Sequence, residues 1–376
     1  MAEPLKHVYS RAFLDDLGAR LHDAYSPFDA AAFAARVLRE PWESLPLKQR
    51  MRKLTLALGD FLPKAYGDAL QVLLSVHDAY NGLQHLVFPD FVKVFGTSEE
   101  DWEHSVRALE SFTKRSTAEF AVRPFLLRNS GRMMRQMEAW AEHDDEHVRR
   151  LASEGCRPRL PWGQALPMFR KNPAPIVPVL ERLKADPSLY VRKSVANNLN
   201  DIAKDHPDLV LDIARRWRGS DSRTDWIVRR GCRTLIRRGH PVALALFGYA
   251  GEEDGAEALA ETADITASRE ELAIGGSCEL RYAVTVREGE PAKLRIEYGI
   301  DFVKKNGRTS RKLFLLADKT VPGGGRVTGS RMHRFADLST RRHYPGNHRI
   351  VLLVNGREVA STSVMLTGCG SEGPEG

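Results

Sequence analysis

The stretch SEGCRPRLPWG, residues 153–163, concentrates side chains that can take part in chemistry. Glu154 offers a carboxylate, and Arg157 and Arg159 offer guanidinium groups. Trp162 stands between a proline and a glycine. A carboxylate stabilises nearby positive charge, guanidiniums bind oxyanions, and an indole on a loop can stack on a flat partner and exclude water. Because prolines and glycines interrupt helices, the stretch is either a plain connection between helices or a site.

Two further acids are candidates for the same chemistry as Glu154. Glu119 begins EFAVRPF, and Asp201 lies in NNLNDI. Each acid also has an ordinary structural explanation. Asp201 would be a surface acid of a helix, Glu119 an acid favoured at a helix N-terminus, and Glu154 the ion-pair partner of a neighbouring arginine. Trp162 would fill the gap between two helix pairs.

The charge is distributed unevenly along the chain. Residues 101–250 carry 27 Lys and Arg against 18 Asp and Glu, and residues 265–376 carry 18 against 12. The segment 251–264 between them has six acids and no base. Two basic blocks around an acidic connector favour a polyanionic partner, although a soluble protein with basic faces has the same composition.

The composition narrows the class of protein. A length of 376 residues predicts two or three domains. We find neither an apolar run that could cross a bilayer nor a signal-peptide pattern at the N-terminus, so we expect no membrane contact. The four cysteines form no CxxC pair, which argues against a disulfide framework and a structural zinc site and favours a reducing cytoplasm.

A repeat organises the first 250 residues, whose apolar spacing is helical. Val148-Arg149-Arg150, Val191-Arg192-Lys193 and Val228-Arg229-Arg230 each stand early in a helical segment, with the valines 43 and then 37 residues apart. A period near 40 residues is typical of HEAT-type helical pairs. Stacked pairs of this kind leave one concave face available for a partner. We therefore predict an all-α solenoid over 1–250.

The apolar period changes to two after the acidic connector. Segments such as KLRIEYGIDFV and HRIVLLVNGREVASTSVML alternate apolar and polar residues, and Asn355-Gly356 is a hairpin signal. These patterns predict a small immunoglobulin-like β-sandwich over 265–368. The segment 251–264 is predicted to be a linker, and 369–376 a disordered tail.

Three blocks resemble a known family. STAEFAVRPFL (116–126), SEGCRPRLPWG (153–163) and YVRKSVANNLNDIAKDHPDLVLDIARRW (190–217) look like signature blocks of the AlkC branch of bacterial DNA-alkylation-repair glycosylases. That branch has HEAT-like repeats and is related to the AlkD branch. The segment 341–356 also resembles the immunoglobulin-like domain found in some AlkC proteins. The first hundred residues match in helical character only.

The resemblance implies excision of N3-methylated bases, chiefly 3-methyladenine and 3-methylcytosine, from duplex DNA by a monomer. It also implies that the reaction needs neither a metal nor a small cofactor. The concave face would bind the backbone of a bent duplex, and the damaged base would not enter a deep pocket. It assigns Asp201 to transition-state stabilisation and water activation, with Glu154 and Glu119 sharing the electrostatic role. Trp162 would stack on the sugar or the base edge.

Phosphate contacts are expected from basic residues near helix starts. The candidates are Arg157, Arg159, Arg192, Lys193, Arg229 and Arg230. The arginine of a HEAT-type VR pair can instead form a salt bridge between repeats, so Lys193 and Arg230, one position further on, are the better candidates. Asn197 can bond the DNA backbone or order the end of its helix.

Other interpretations remain open. EHDDEH (142–147) departs from the HExxH zinc pattern, so no metal is predicted there. The alternative to a glycosylase is a HEAT-repeat scaffold that binds DNA or protein without catalysis. A base-flipping glycosylase would need an aromatic pocket, and no aromatic cluster accompanies the acids. The β-domain has a basic edge, which we expect to reach the DNA, formed by Arg326, Arg331, Arg334, Arg341 and Arg342.

Overall fold

The computed structural model describes residues 4–249, 259–338 and 341–368. The chain divides into two compact units, and the division falls after Gly231. The first unit is helical, and the second is a β-sandwich preceded by two short helices. Within the described ranges, we find no helix that combines the length and the apolar character needed to span a lipid bilayer.

The helical unit is a series of short helices joined by turns. The first eight are α1 (Arg11–Ala24), α2 (Ala30–Leu38), α3 (Leu47–Phe61), α4 (Tyr66–Val76), α5 (Gly82–His85), α6 (Val87–Phe95), α7 (Trp102–Thr113) and α8 (Arg123–Arg128). The next seven are α9 (Ser130–Trp140), α10 (Glu146–Gly155), α11 (Pro167–Lys171), α12 (Val177–Leu183), α13 (Leu189–Ile202), α14 (Pro207–Trp217) and α15 (Ser222–Gly231).

The three VR segments form the helices α10, α13 and α15, and α13 packs against both of the others. The valine of each segment is buried in the stack, as the repeat predicts: Val148, Val191 and Val228. A side chain in place of Gly231 would lie 2.9 Å from Cβ of Leu199, so the glycine permits the close approach of α15 to α13. The predicted HEAT-like solenoid is confirmed.

Local signals explain where these helices begin. The side chain of Asp145 caps α10 by accepting the amide of His147 at 2.8 Å, and Ser188 caps α13. Pro207 opens α14 at the position where a proline costs no hydrogen bond. Arg149 joins consecutive repeats through an ion pair with the buried Asp186, with Nε 2.7 Å from Oδ2.

The second unit contains two helices, α16 (Arg233–Arg237) and α17 (Pro241–Leu246), before the strands. The strands are β1 (Ala260–Ala267), β2 (Glu271–Ala273), β3 (Ser277–Val286), β4 (Ala292–Val303), β5 (Thr309–Val321), β6 (Arg326–Arg334), β7 (Gly346–Val354) and β8 (Arg357–Thr367). One sheet has the order β1-β3-β6, and the other has the order β2-β8-β7-β4-β5. Apolar residues of both sheets form one core between them, which confirms the predicted sandwich.

The predicted hairpin joins β7 to β8. Asn355 and Gly356 both have positive φ, 48° and 85°, which the two-residue turn between these strands requires. The turn lies so close to Gly239, after α16, that a Cβ on Gly356 would lie 2.4 Å from Cα of Gly239. The short helix α16 is therefore part of the second unit.

The boundaries differ from the sequence-based expectation in two places. Helices α16 and α17 belong to the second unit, although the helical pattern predicts a solenoid that extends to residue 250. Strand β1 begins at Ala260, inside the expected linker 251–264, because its residues pair with β3. Most of that linker, and the predicted tail 369–376, lie outside the described residues.

Two buried histidines make the stability of the helical unit depend on pH. His77 and His85 are buried, with Nδ1 of the first 3.1 Å from Nε2 of the second. Burial lowers the pKa of His85 to about 3, so the folded protein does not take up the proton that an unfolded histidine binds below pH 6.5. The contribution of His85 to the free energy of unfolding is fully present above pH 6.5. It is lost as the pH falls toward the pKa of His85 in the folded protein.

Lowering the pH from 7.5 to 5.5 should therefore reduce the free energy of unfolding by about 1.4 kcal/mol through His85. Urea unfolding followed by helical circular dichroism at the two pH values measures this change. His85→Phe should remove this part of the dependence and leave the part that comes from His77, whose pKa is also lowered by burial. A wild-type protein with the same stability at both pH values would contradict the expectation.

Candidate active site

Three carboxylates and two arginines form a continuous ion-pair network in the helical unit. Nη1 of Arg150 lies 2.8 Å from Oε2 of Glu119, and Nη2 lies 3.6 Å from Oε1 of Glu154. Arg157 extends the network, since Nη1 donates to Oε1 of Glu154 at 2.6 Å and Nε donates to Oδ2 of Asp201 at 2.9 Å. The structure thus brings together the three acids selected from the sequence.

The fold explains why these side chains meet. Arg150 and Glu154 are one turn apart on α10, and Arg157 follows directly after this helix ends. Helix α13 packs on α10 and contributes Asp201, as well as Ser194, whose hydroxyl donates to Oε2 of Glu154 at 2.6 Å. Glu119 enters from the turn that precedes α8, where Thr117 donates to its Oε2 at 2.8 Å.

The alternation of carboxylates and guanidiniums offsets the cost of burying these charges. Burial lowers the pKa of the Arg150 guanidinium, but the carboxylates of Glu119 and Glu154 more than offset it, so the pKa is raised. The pKa of Arg157 is raised in the same way, against burial, by Glu154 and Asp201. Three carboxylates therefore alternate with the guanidiniums of Arg150 and Arg157, and Lys204 pairs with Asp201 at the far end of the network.

A cavity of about 370 Å³ opens beside one end of the network. The charged residues of its wall are Glu119, Glu154, Arg157 and Lys48, whereas Asp201 is not part of this wall. The remaining wall is largely apolar and includes Leu47, Met51, Leu83, Leu86, Phe120 and Leu160. The network can therefore act on a molecule in the cavity through Glu119 and Glu154.

The carboxylates differ in the hydrogen bonds that they already make. Both oxygens of Glu154 accept bonds, and so do both oxygens of Asp201, whose Oδ1 lies 3.0 Å from Nζ of Lys204. The bonds to Glu119 all reach Oε2, and no group in the described part of the chain donates to its Oε1. Oε1 of Glu119 is therefore the acceptor that can bind a water or a ligand.

Trp162 stands at the rim of the cavity with 70% of its surface exposed. Its φ of 63° is unusual for a residue with a side chain and costs free energy. Its carbonyl accepts a hydrogen bond from Nζ of Lys48, which also lies 4.2 Å from the centre of the Phe120 ring. The indole is thus presented to solvent by a fixed backbone, as required for stacking on a partner.

The residues predicted to contact phosphates differ in their exposure to solvent, and two of them have structural positions. Arg157 departs from the prediction, because it is buried between Glu154 and Asp201 and is not available to a surface phosphate. Arg192 donates Nη1 to the backbone oxygens of Asp186 and Pro187, both at 2.8 Å, which is a structural role.

The other candidates for phosphate contact lie nearer the surface. Arg159 is paired with Asp205, with Nη2 2.6 Å from Oδ1, and is partly exposed. Lys193 and Arg230 are exposed, and Arg230 also lies over the ring of Trp226. Asn197 is half-buried on α13. Lys193 and Arg230 therefore keep the exposure that a phosphate contact needs.

Sequence reasoning did not select Arg150 or Lys48. Arg150 is the second arginine of its VRR segment, at the position that selected Lys193 and Arg230 in the later repeats, so the repeat held a signal for it. Lys48 lies on α3, in the first hundred residues, where no motif marks it. Only the packing of the loop 157–162 near α3 brings it to the site.

Models of two known protein families match separate parts of the chain. A model described as "DNA alkylation repair enzyme" matches residues 93–233, which contain the whole ion-pair network. A model described as "Uncharacterised protein YhaZ, C-terminal Ig-like domain" matches residues 261–368. "Uncharacterized protein YhaZ" of Bacillus subtilis (strain 168) is 43% identical over 352 residues, which cover 94% of this chain and 96% of that protein.

A solved structure matches the chain over its length. "Pseudomonas fluorescens alkylpurine DNA glycosylase AlkC bound to DNA containing an abasic site analog" has a TM-score of 0.89 and 35% identity, covering 97% of this chain and 100% of that one. The chain is an AlkC-type member of the DNA alkylation repair enzyme family. This AlkC-type chain therefore combines an alkylpurine DNA glycosylase fold with a C-terminal immunoglobulin-like domain. Among the described residues, no cluster of three or more side chains is suited to hold a metal ion.

Proposed function

We propose that the protein is a DNA glycosylase that hydrolyses the N-glycosidic bond of cationic N3-methylated bases, 3-methyladenine and 3-methylcytosine, in duplex DNA without a small cofactor. The observation that carries the proposal is the wall formed by Glu119 and Glu154 beside the exposed Trp162, within an AlkC-type fold. The AlkC protein of Pseudomonas fluorescens was solved with DNA, which supports DNA as the partner of this chain.

The chemistry of the lesion explains why carboxylates suffice. A base methylated at N3 carries a positive charge, so it leaves as a neutral molecule when the bond from C1′ to nitrogen breaks and the electron pair stays on the base. The sugar then develops positive charge, which fixed carboxylates stabilise. Water adds to C1′, and its proton passes to a carboxylate. No strong general acid is needed for the leaving group.

The hydrogen bonds of the three acids favour a different role for each of them. Glu119 has the unoccupied Oε1, so we assign it to hold the attacking water and accept its proton. Glu154, with both oxygens bonded, contributes negative charge to the cavity wall. Asp201 fixes Arg157 from outside that wall, which is a more indirect role than the resemblance implied. Trp162 stacks on the sugar or the base edge.

We propose that the lesion stays within the duplex during the reaction. The indole of Trp162 is exposed at the rim, and it can meet a base step or a sugar without the base leaving the helix. Two aromatic residues line the cavity: Trp162 at the rim and Phe120 in the interior. An aromatic sandwich that would hold a rotated base is therefore not formed by these lining residues.

Release of free methylated bases from a methylated duplex, analysed by chromatography, tests the proposal. We expect 3-methyladenine and 3-methylcytosine in the released fraction and an abasic site in the strand. DNA binding without any release would contradict the proposal and would favour the alternative of a HEAT-repeat scaffold.

We also propose that the β-sandwich contributes phosphate contacts. Strand β6 is an edge strand of its sheet and carries the exposed side chains of Arg326, Arg331 and Arg334. Replacing these three with alanine should reduce the slope of log Kobs against log salt concentration by about 0.9 for each phosphate that is no longer neutralised. Filter binding of a duplex at several salt concentrations measures the slope.

Arg311→Ala is a matched control, because this arginine of the same unit is already paired with Asp301 and Glu358. It should leave the slope unchanged. An unchanged slope in the triple variant would exclude the edge strand from the DNA interface.

A further inference from the structure

Arg123, the first residue of α8, is among the largest fully buried side chains in the described structure, with 0% of its surface exposed. Its guanidinium lies beneath the segment 155–164, which carries Arg157 and Trp162. The residue belongs neither to the ion-pair network nor to the cavity wall, although it lies in the block EFAVRPF that begins with Glu119.

Arg123 binds both ends of this segment. Nη1 donates to the carbonyl oxygen of Gly155 at 2.9 Å, and Nε donates to the carbonyl oxygen of Gln164. The approach depends on Gly155, since a Cβ there would lie 2.7 Å from Cγ2 of Val122, the neighbour of Arg123. One planar side chain therefore fixes the distance between the two ends of the loop.

The surroundings of Arg123 make its positive charge energetically unfavourable. Unlike Arg150 and Arg157, it has no carboxylate partner among the described ion pairs, and Nη2 is buried without a hydrogen-bond partner in the described residues. Burial lowers its pKa to about 10, so it still carries its charge at neutral pH. Burying a charge without an ion pair is unfavourable, which makes a purely stabilising role a poor explanation.

We infer that Arg123 is a positioning residue that holds the loop 155–164 in the conformation that places Trp162 and Arg157 at the cavity. The inference rests on the proposed function. The loop begins directly after Glu154 and already contains the strained backbone of Trp162, so it needs anchors. Arg123 anchors its two ends from inside, while Lys48 contacts the carbonyl of Trp162 from α3.

Two variants of the full chain test the inference. Arg123→Met keeps most of the buried volume and removes both hydrogen bonds, whereas Arg123→Lys keeps the charge but cannot reach both carbonyls. We expect the single-turnover rate of base release to fall by about 10- to 100-fold in the methionine variant, since small displacements of catalytic groups cost this much. The lysine variant should retain part of the rate, and the Kd for lesion DNA should stay within about threefold in both.

Hydrogen exchange provides a readout that does not depend on activity. The amide of Gly163 donates to Leu160 and that of Leu166 donates to Pro158, so peptides over 157–166 report the order of the loop. Exchange in these peptides should become faster in both variants, while α13 and α14 exchange as in the wild type. Faster exchange throughout the helical unit would instead indicate a merely structural role.

Arg149→Met is the matched control, because Arg149 also donates to two backbone carbonyls, those of His143 and Asp144. It should lower Tm and leave the single-turnover rate unchanged. Unchanged release or unchanged loop exchange in Arg123→Met would overturn the inference. A wild-type protein that releases no base would refute the proposed function instead, and the exchange measurement would still decide whether Arg123 orders the loop.

Discussion

Replacing Glu119 with glutamine should lower the single-turnover rate of 3-methyladenine release by about 100- to 1,000-fold, the loss observed when one preorganised electrostatic group is removed from an active site. Oε1 of Glu119 makes no hydrogen bond within the described residues and the side chain lines the cavity, so it can hold the attacking water. Glutamine preserves the size of the side chain but can neither accept the proton nor supply the negative charge.

The free energy of unfolding should fall by less than in Asp201→Asn, because the pair of Glu119 with Arg150 is less buried than that of Asp201 with Arg157. Glu181→Gln is a suitable control. Glu181 is a partly buried acid that bonds Trp217 and Lys184 and is not part of the cavity wall. Its substitution should leave the rate unchanged. An active Glu119→Gln protein would remove Glu119 from its assigned role.

Asp201→Asn should have a different signature, with a loss of stability as well as of activity. Asp201 is 2% exposed and pairs with the buried Arg157, so its neutralisation leaves a buried guanidinium with Glu154 as its remaining carboxylate. Breaking a buried pair from one side costs about 3 kcal/mol. Arg157 then no longer holds Glu154 in place, and the rate of base release should fall as a consequence. Urea unfolding and single-turnover release measure the two effects.

Asp205→Asn is the comparison for this substitution. Asp205 also accepts two bonds from an arginine, Arg159, but both side chains are partly exposed, so the cost should be below about 1 kcal/mol. If Asp201→Asn abolished release without any loss of stability, Asp201 would act directly on the water or the sugar, as the family resemblance implied.

The periodic features of this chain are readable from its sequence because they are local. The VR repeat predicts the stack of α10, α13 and α15, and the buried valines confirm it. The Asn355-Gly356 pair predicts the hairpin, because positive φ at two successive positions restricts the residue types. The three acids that the structure brings together also stand in distinctive blocks of the sequence.

The partners of those acids are harder to predict because they depend on packing. Arg157 has the sequence context of a phosphate contact, and only the approach of α13 to α10 shows that it is buried between two acids. Lys48 is brought to Trp162 by the folding of α3 against a loop more than a hundred residues away. The end of the helical unit at Gly231 also follows from packing, since the helical pattern of α16 and α17 resembles that of the solenoid.

The charge on the lesion is the centre of the proposed mechanism, and one comparison tests it most directly. Two duplexes of the same sequence would carry either 3-methyladenine or its uncharged 3-deaza analogue, and single-turnover release would be measured for both. The carboxylates of Glu119 and Glu154 in the cavity wall should support rapid release of the cationic base, and we expect no detectable release of the neutral analogue at equal binding. Equal rates for the two bases would show that the protein protonates its leaving group by another route, and would contradict the account.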